Sequence, residues 1–172
     1  MVFIVGYMGS GKSTFGKRLA RQMDYDFIDL DKLFEETYKI CISNFFIKYG
    51  EEMFRKIEHE LLMKHLGHSN SVVSCGGGTP CYFDNMALMN AAGLTVYLSL
   101  TPAALVNRLE NSRKERPLLQ KLPGTDLLEK ISNHLQQRES YYLQAQMVVD
   151  GLSINIEETT TKILHVLQQQ SV

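Results

Sequence analysis

The chain has 172 residues, 44% of them hydrophobic, enough to bury about two-thirds of its unfolded surface in one core and short for two. Eighteen basic against nineteen acidic residues leave a formal charge of -1, which argues against nucleic acid or an anionic membrane as partner; an anionic ligand must be met by local positive charge. Cys41, Cys75 and Cys81 are odd in number and lack CxxC spacing, so free thiols are expected in place of a disulfide framework or zinc site.

VFIV at residues 2–5 reads as a buried strand, and the apolar start MVFIV is far shorter than a signal h-region. No stretch approaches a membrane span of about 20 residues, so a soluble, cytoplasmic protein is expected. A glycine-rich turn and a helix over 12–23 follow, then a short strand, DFIDL, at 26–30. From Asp31 to about Leu66 the pattern is helical, with a break near Tyr49 and Gly50. SVVSC is the third strand, FDNMALMNAAG a helix ending at Gly93, TVYLSL at 95–100 the fourth strand, and TPAALVNRLEN a helix with Pro102 in its first turn. Periodicity disappears over 112–124, where SRKERPLLQKLPG suits a long surface loop or lid. A helix from Thr125 to about Gln146, a fifth strand at 147–150 and a helix over 156–169 complete the chain. Such alternation predicts an α/β fold, one domain over 1–172, with a five-stranded parallel sheet covered by helices on both faces and ligands at the carboxyl ends of the strands.

GYMGSGKS, Gly6 to Ser13, matches GxxxxGK[ST] at every fixed position and stands between a strand and a helix, as a phosphate-binding loop must. Gly6, Gly9 and Gly11 let backbone N–H groups converge on phosphate oxygens, Lys12 reaches the β and γ phosphates, and Ser13 offers a hydroxyl to Mg²⁺. The guanine-reading NKxD and the DxxG of GTPases are both absent, and HELLMKH lacks the HExxH spacing of zinc proteases, leaving His59, His65 and His68 as surface residues.

Asp29 and Asp31 are two apart, so on an extended segment both point into the crevice. One carboxylate can order the Mg²⁺ shell while the other orients a substrate hydroxyl; Asp31 also stands where a helix N-cap would. Arg55 lies at the edge of the face defined by Phe54, Ile57, Leu61 and Leu62, with Glu58 one turn on, and is equally a surface ion pair or a site residue. Arg138 fills the vacant slot in the stripe Leu128, Ile131, Leu135, Tyr142, where it either snorkels or answers an anion such as a ligand carboxylate. Arg116, in KERPLL, is a solvated loop charge or an arginine that swings over the transferred phosphoryl group. In SCGGGTP three consecutive glycines follow an apolar strand, implying that something must approach bare backbone.

Together GYMGSGKS, FIDLD, GEEMFRKIE, SCGGGTP, ERPLL and RESYY, in that order and spacing over most of the chain, resemble the shikimate kinase family. The resemblance implies a P-loop kinase fold similar to nucleoside monophosphate kinases, with strand order 2-3-1-4-5, a substrate-binding helical region at about 31–66 and a mobile lid at about 112–124. It implies ATP-dependent phosphorylation of the 3-hydroxyl of shikimate, a step towards aromatic amino acids, by a Mg²⁺-using enzyme expected to be a monomer. By the same likeness Gly9, Ser10, Gly11, Lys12, Ser13, Thr14 and Arg116 contact ATP, and Asp29 orders Mg²⁺ through water beside Ser13. Asp31 grips the shikimate hydroxyls and serves with Lys12 and Arg116 in catalysis. Arg55 and Arg138 clamp the substrate carboxylate, and the ring rests on Gly76, Gly77 and Gly78. The base is left unassigned, Arg108 being only a loose candidate for the adenine ring. Ser140 stands where many relatives have proline. The alternatives are another small-molecule kinase of this architecture, acting on gluconate or a nucleotide, and a non-catalytic nucleotide-binding module.

Overall fold

Alternate residues of the central strand face opposite ways, and each side is apolar. In the computed structural model, which describes residues 1–111 and 124–170, Val2 and Ile4 of β1 (Val2–Val5) pack with Phe15, Leu19 and Ile163, while Phe3 and Val5 pack with Leu62, Met89, Ile131 and Tyr142. A strand buried on both faces needs a continuous apolar run, which is why VFIV shows no polar alternation.

The other strands are β2 (Asp26–Asp29), β3 (Ser71–Ser74), β4 (Leu94–Ser99) and β5 (Met147–Asp150), all parallel in the expected order β2-β3-β1-β4-β5. The helices are α1 (Lys12–Met23), α2 (Leu30–Tyr38), α3 (Ile42–His65), α4 (Asn85–Ala92), α5 (Pro102–Glu110), α6 (Gly124–Tyr142) and α7 (Ile156–Gln170). A smaller aromatic cluster, Phe34, Phe45, Phe54 and Leu61, sits between α2 and α3. Among the described residues no helix is long and apolar enough to cross a membrane.

Three boundaries differ from expectation. β2 stops at Asp29 because the Asp29 carboxylate accepts from Lys32 N at 3.2 Å and caps α2, so Leu30 and Asp31 are helical. The helical stretch breaks twice: at Gly50, with φ 81° and ψ 167°, as expected, and also at Lys39, whose φ of 54° ends α2. There Glu35 accepts from Ile42 N at 3.0 Å and starts α3. α6 ends at Tyr142 instead of Gln146 and continues smoothly through Ser140. The expected lid, apart from Gly124, lies outside the described residues, as does Arg116.

Candidate functional site

The loop after β1 bends through Gly9 (φ 82°) and Gly11 (φ 95°), conformations that side-chain-bearing residues seldom adopt. Lys12, the first residue of α1, is 8% exposed, and its Nζ donates to Gly6 O and Tyr7 O, each at 2.9 Å. Ser10 Oγ is buried without a hydrogen-bond partner among the described residues, the kind of atom a phosphate oxygen satisfies. Arg108 from α5 braces this loop: Nη1 donates to Ser10 O at 2.6 Å and Nη2 to Gly151 O at 2.7 Å. Those bonds give Arg108 a positioning role at the loop that sequence reasoning did not identify.

Ser13 Oγ lies 3.4 Å from Ser74 Oγ at the end of β3, and Ser74 pairs in register with Asp29 of β2. Oxygen donors from three segments thus line one side of the loop; Thr14 follows them on the exposed start of α1. Asp29 and Asp31 do not share an extended segment as anticipated: Asp29 ends β2 and caps α2, whereas Asp31 is inside the first turn of α2. Asp31 faces the glycine triplet, its Oδ1 only 2.8 Å from where a Cβ on Gly76 would lie.

The triplet is bare because the chain's own polar groups press on it. A Cβ on Gly76 would sit 2.5 Å from Glu58 Oε1, and one on Gly78 would collide with the Arg55 guanidinium. Gly77 lies against Met8 N, 3.1 Å from a would-be Cβ, which brings the triplet beside the phosphate loop. Its carbonyl accepts from Tyr142 OH at 2.6 Å.

Arg55 is buried in a network instead of forming a surface ion pair. Nη1 donates to Glu58 Oε2 at 2.8 Å, while Nε and Nη2 donate to Glu51 Oε1 at 3.1 and 2.8 Å. Glu58 is 4% exposed, and its other oxygen accepts from Thr79 Oγ1 at 2.6 Å. Burial works to discharge Arg55, but Glu58 and then Glu51 outweigh it and raise its pKa. Burial likewise opposes ionisation of Glu51, which Arg55, Tyr82 and Arg138 hold below the ordinary carboxylate range.

Arg138 is half-buried on α6, its Cζ 6.0 Å from the Tyr7 ring. The buried stripe beside it is Leu127, Ile131, Leu135 and Tyr142; Leu128, expected there, is 41% exposed. Arg138 acts electrostatically on Glu51 and Cys81, the same two groups on which Arg55 acts. The two guanidinium groups from separate helices therefore bear on one region beside the triplet. Burial, then Arg138 and Lys130, lower the pKa of His134, whose Nδ1 lies 3.3 Å from Tyr7 OH. Glu51, Thr79 and Tyr82 were not singled out from the sequence; Glu58 was read only as an ion-pair partner of Arg55, and Tyr142 only as part of the apolar stripe.

A family model described as shikimate kinase matches residues 8–168. A shikimate kinase from Parabacteroides distasonis is 40% identical over 168 residues, covering 98% of this chain and 97% of that protein. The crystal structure of shikimate kinase from Bacteroides thetaiotaomicron superposes with a TM-score of 0.90 at 36% identity, covering 97% of each chain. Shikimate kinase from Acinetobacter baumannii in complex with shikimate gives 0.83 at 27% identity, covering 99% of this chain and 94% of that one.

Proposed function

The chain belongs to the shikimate kinase family, and from that premise we propose that it transfers the γ-phosphoryl group of ATP to the 3-hydroxyl of shikimate, giving shikimate 3-phosphate and ADP on the route to chorismate and aromatic amino acids. The observation that carries the reading is a buried guanidinium, Arg55, packed on a glycine triplet that itself abuts the phosphate loop. A phosphate donor and a small carboxylate-bearing acceptor can thereby meet.

In this reading the backbone of Gly9, Ser10 and Gly11, with Lys12, Ser13 and Thr14, holds the ATP phosphates. Arg55 and Arg138 take the acceptor carboxylate, and Gly76, Gly77 and Gly78 support the ring. Asp31 accepts a hydrogen bond from the acceptor hydroxyl and aligns its oxygen for attack on the γ-phosphorus. Arg116, which lies outside the described residues, is assigned to the ATP phosphates. The donor set also suits Mg²⁺, a hard cation that takes oxygen ligands and keeps waters: Ser13 Oγ lies 3.4 Å from Ser74 Oγ, and Ser74 pairs in register with Asp29. Ser13 would hold it directly and Asp29 through water; when bound, it neutralises charge on the phosphates. We take the protein as a monomer of one domain over 1–172, its acceptor region at about 31–66. Its place is the cytoplasm, where ATP is supplied.

ADP release should be followed with ATP plus shikimate, gluconate or CMP. Turnover is expected with shikimate alone, since sites that hydrogen-bond substrate hydroxyls reject analogues lacking them by up to ~10⁴-fold. Equal turnover with gluconate would favour another kinase of this fold, and none with any acceptor a non-catalytic module.

A further inference from the structure

A guanidinium has five N–H donors, and Arg55 commits three of them, from Nε and Nη2 to Glu51 and from Nη1 to Glu58. The remainder is what a bidentate carboxylate takes. The aim of that remaining pair depends on how firmly both anchors hold. Glu58 is fixed, its side chain 5% exposed and bonded to Thr79; Glu51, at 47%, is the loose anchor, directly after the break at Gly50.

Tyr82 secures it. This residue follows the 3-10 turn Thr79–Cys81 that ends the glycine triplet, and its OH donates to Glu51 Oε1 at 3.0 Å, the oxygen that already accepts from Arg55. The Tyr82 ring also covers the guanidinium, with Cζ 4.5 Å from its centroid, nearer than the 5.0 Å of Phe54 or the 5.8 Å of Phe46. The hydroxyl therefore limits rotation of Arg55 within its plane, through Glu51, and the ring limits tilt out of it.

We propose that Tyr82 is a positioning residue for the acceptor: by ring and hydroxyl together it fixes the Arg55 fork so that the N–H groups not held by Glu51 and Glu58 meet the acceptor carboxylate. The inference rests on the assignment of Arg55 to that carboxylate. It makes the segment just after the triplet a determinant of acceptor affinity without touching the acceptor itself.

Steady-state kinetics with shikimate and ATP should be measured for Tyr82→Phe and Tyr82→Ala, with thermal melts to show that both fold. Loss of the hydroxyl alone should raise KM for shikimate about threefold, and loss of the ring as well about tenfold or more. In both, kcat and KM for ATP should stay within about twofold of the wild-type values. A cycle with Glu51→Ala separates positioning from general packing: once Glu51 is gone, Tyr82→Phe should change KM no further. An unaltered KM in folded Tyr82→Ala, an equal loss in kcat, or additive effects of Tyr82→Phe and Glu51→Ala would each overturn the proposal. Failure of the wild-type protein to phosphorylate shikimate would instead overturn the assignment beneath it.

Discussion

Arg55 and Arg138 carry the same charge in different settings, and their substitution should differ accordingly. Arg55 is 8% exposed between two carboxylates, so removing it strands Glu58 as a buried unpaired charge, at a cost of about 3–5 kcal/mol of stability. Arg138 is half-buried and makes no salt bridge among the described residues. Arg138→Ala is therefore the cleaner probe: it should weaken shikimate binding about 10- to 100-fold, the value of one or two charge-assisted hydrogen bonds, with the nucleotide affinity and the melting temperature little changed. Calorimetric titration with each ligand checks this, and comparable loss of both would make the side chain structural. The inward slot of Arg138 was visible in the helical stripe, although Leu127 and not Leu128 fills the first place. The burial of Arg55 was not visible, because a guanidinium one turn from Glu51 and Glu58 has the same sequence pattern whether solvated or enclosed. What decides is the close approach of Gly78, a contact made across the fold.

Elements whose signal is local were legible. The phosphate loop and α1 follow from fixed glycine and lysine spacing, and the bounds of α1 match the expected 12–23. The turn at Lys39 was missed because no glycine or proline marks it; a lysine adopts the left-handed conformation while Glu35 caps the next helix from outside. The same uncertainty set Asp31 on an extended segment with Asp29, when one capping bond from Asp29 puts it inside the first turn of a helix. Gly50 is different: its φ of 81° and ψ of 167° lie where glycine alone is comfortable, and nothing stands within 4 Å of a would-be Cβ. Gly50→Ala should thus meet no clash and cost backbone strain only, about 1–3 kcal/mol in urea unfolding. If the variant were as stable as the wild type, the break would not be held by that conformation. Because Glu51 is the next residue, a strained variant should also show a raised KM for shikimate.

At the scale of the whole molecule, alternating strands and helices foretold the parallel sheet, whereas the strand order came through family likeness, since local patterns carry no information about which strands are neighbours. That order puts β1 at the centre with β3 beside it, so the phosphate loop and the glycine triplet, each following its strand, emerge side by side. The acceptor region has its own aromatic cluster, yet Leu30 and Leu62, from the same helices, belong to the main core with Phe3 and Val5. Interlocked cores of this kind unfold together. Thermal denaturation should accordingly show one transition, which either ligand moves as a whole. With shikimate or a non-hydrolysable ATP analogue with Mg²⁺ at one hundred times its Kd, stability should rise by about 2.7 kcal/mol, moving Tm by roughly 5–10 °C. At the same shikimate concentration Arg138→Ala should lose about half or more of the shikimate shift and keep that of the nucleotide. Two separate transitions, with shikimate raising only the lower, would mean that residues 31–66 fold independently of the sheet and that Leu30 and Leu62 do not join the cores.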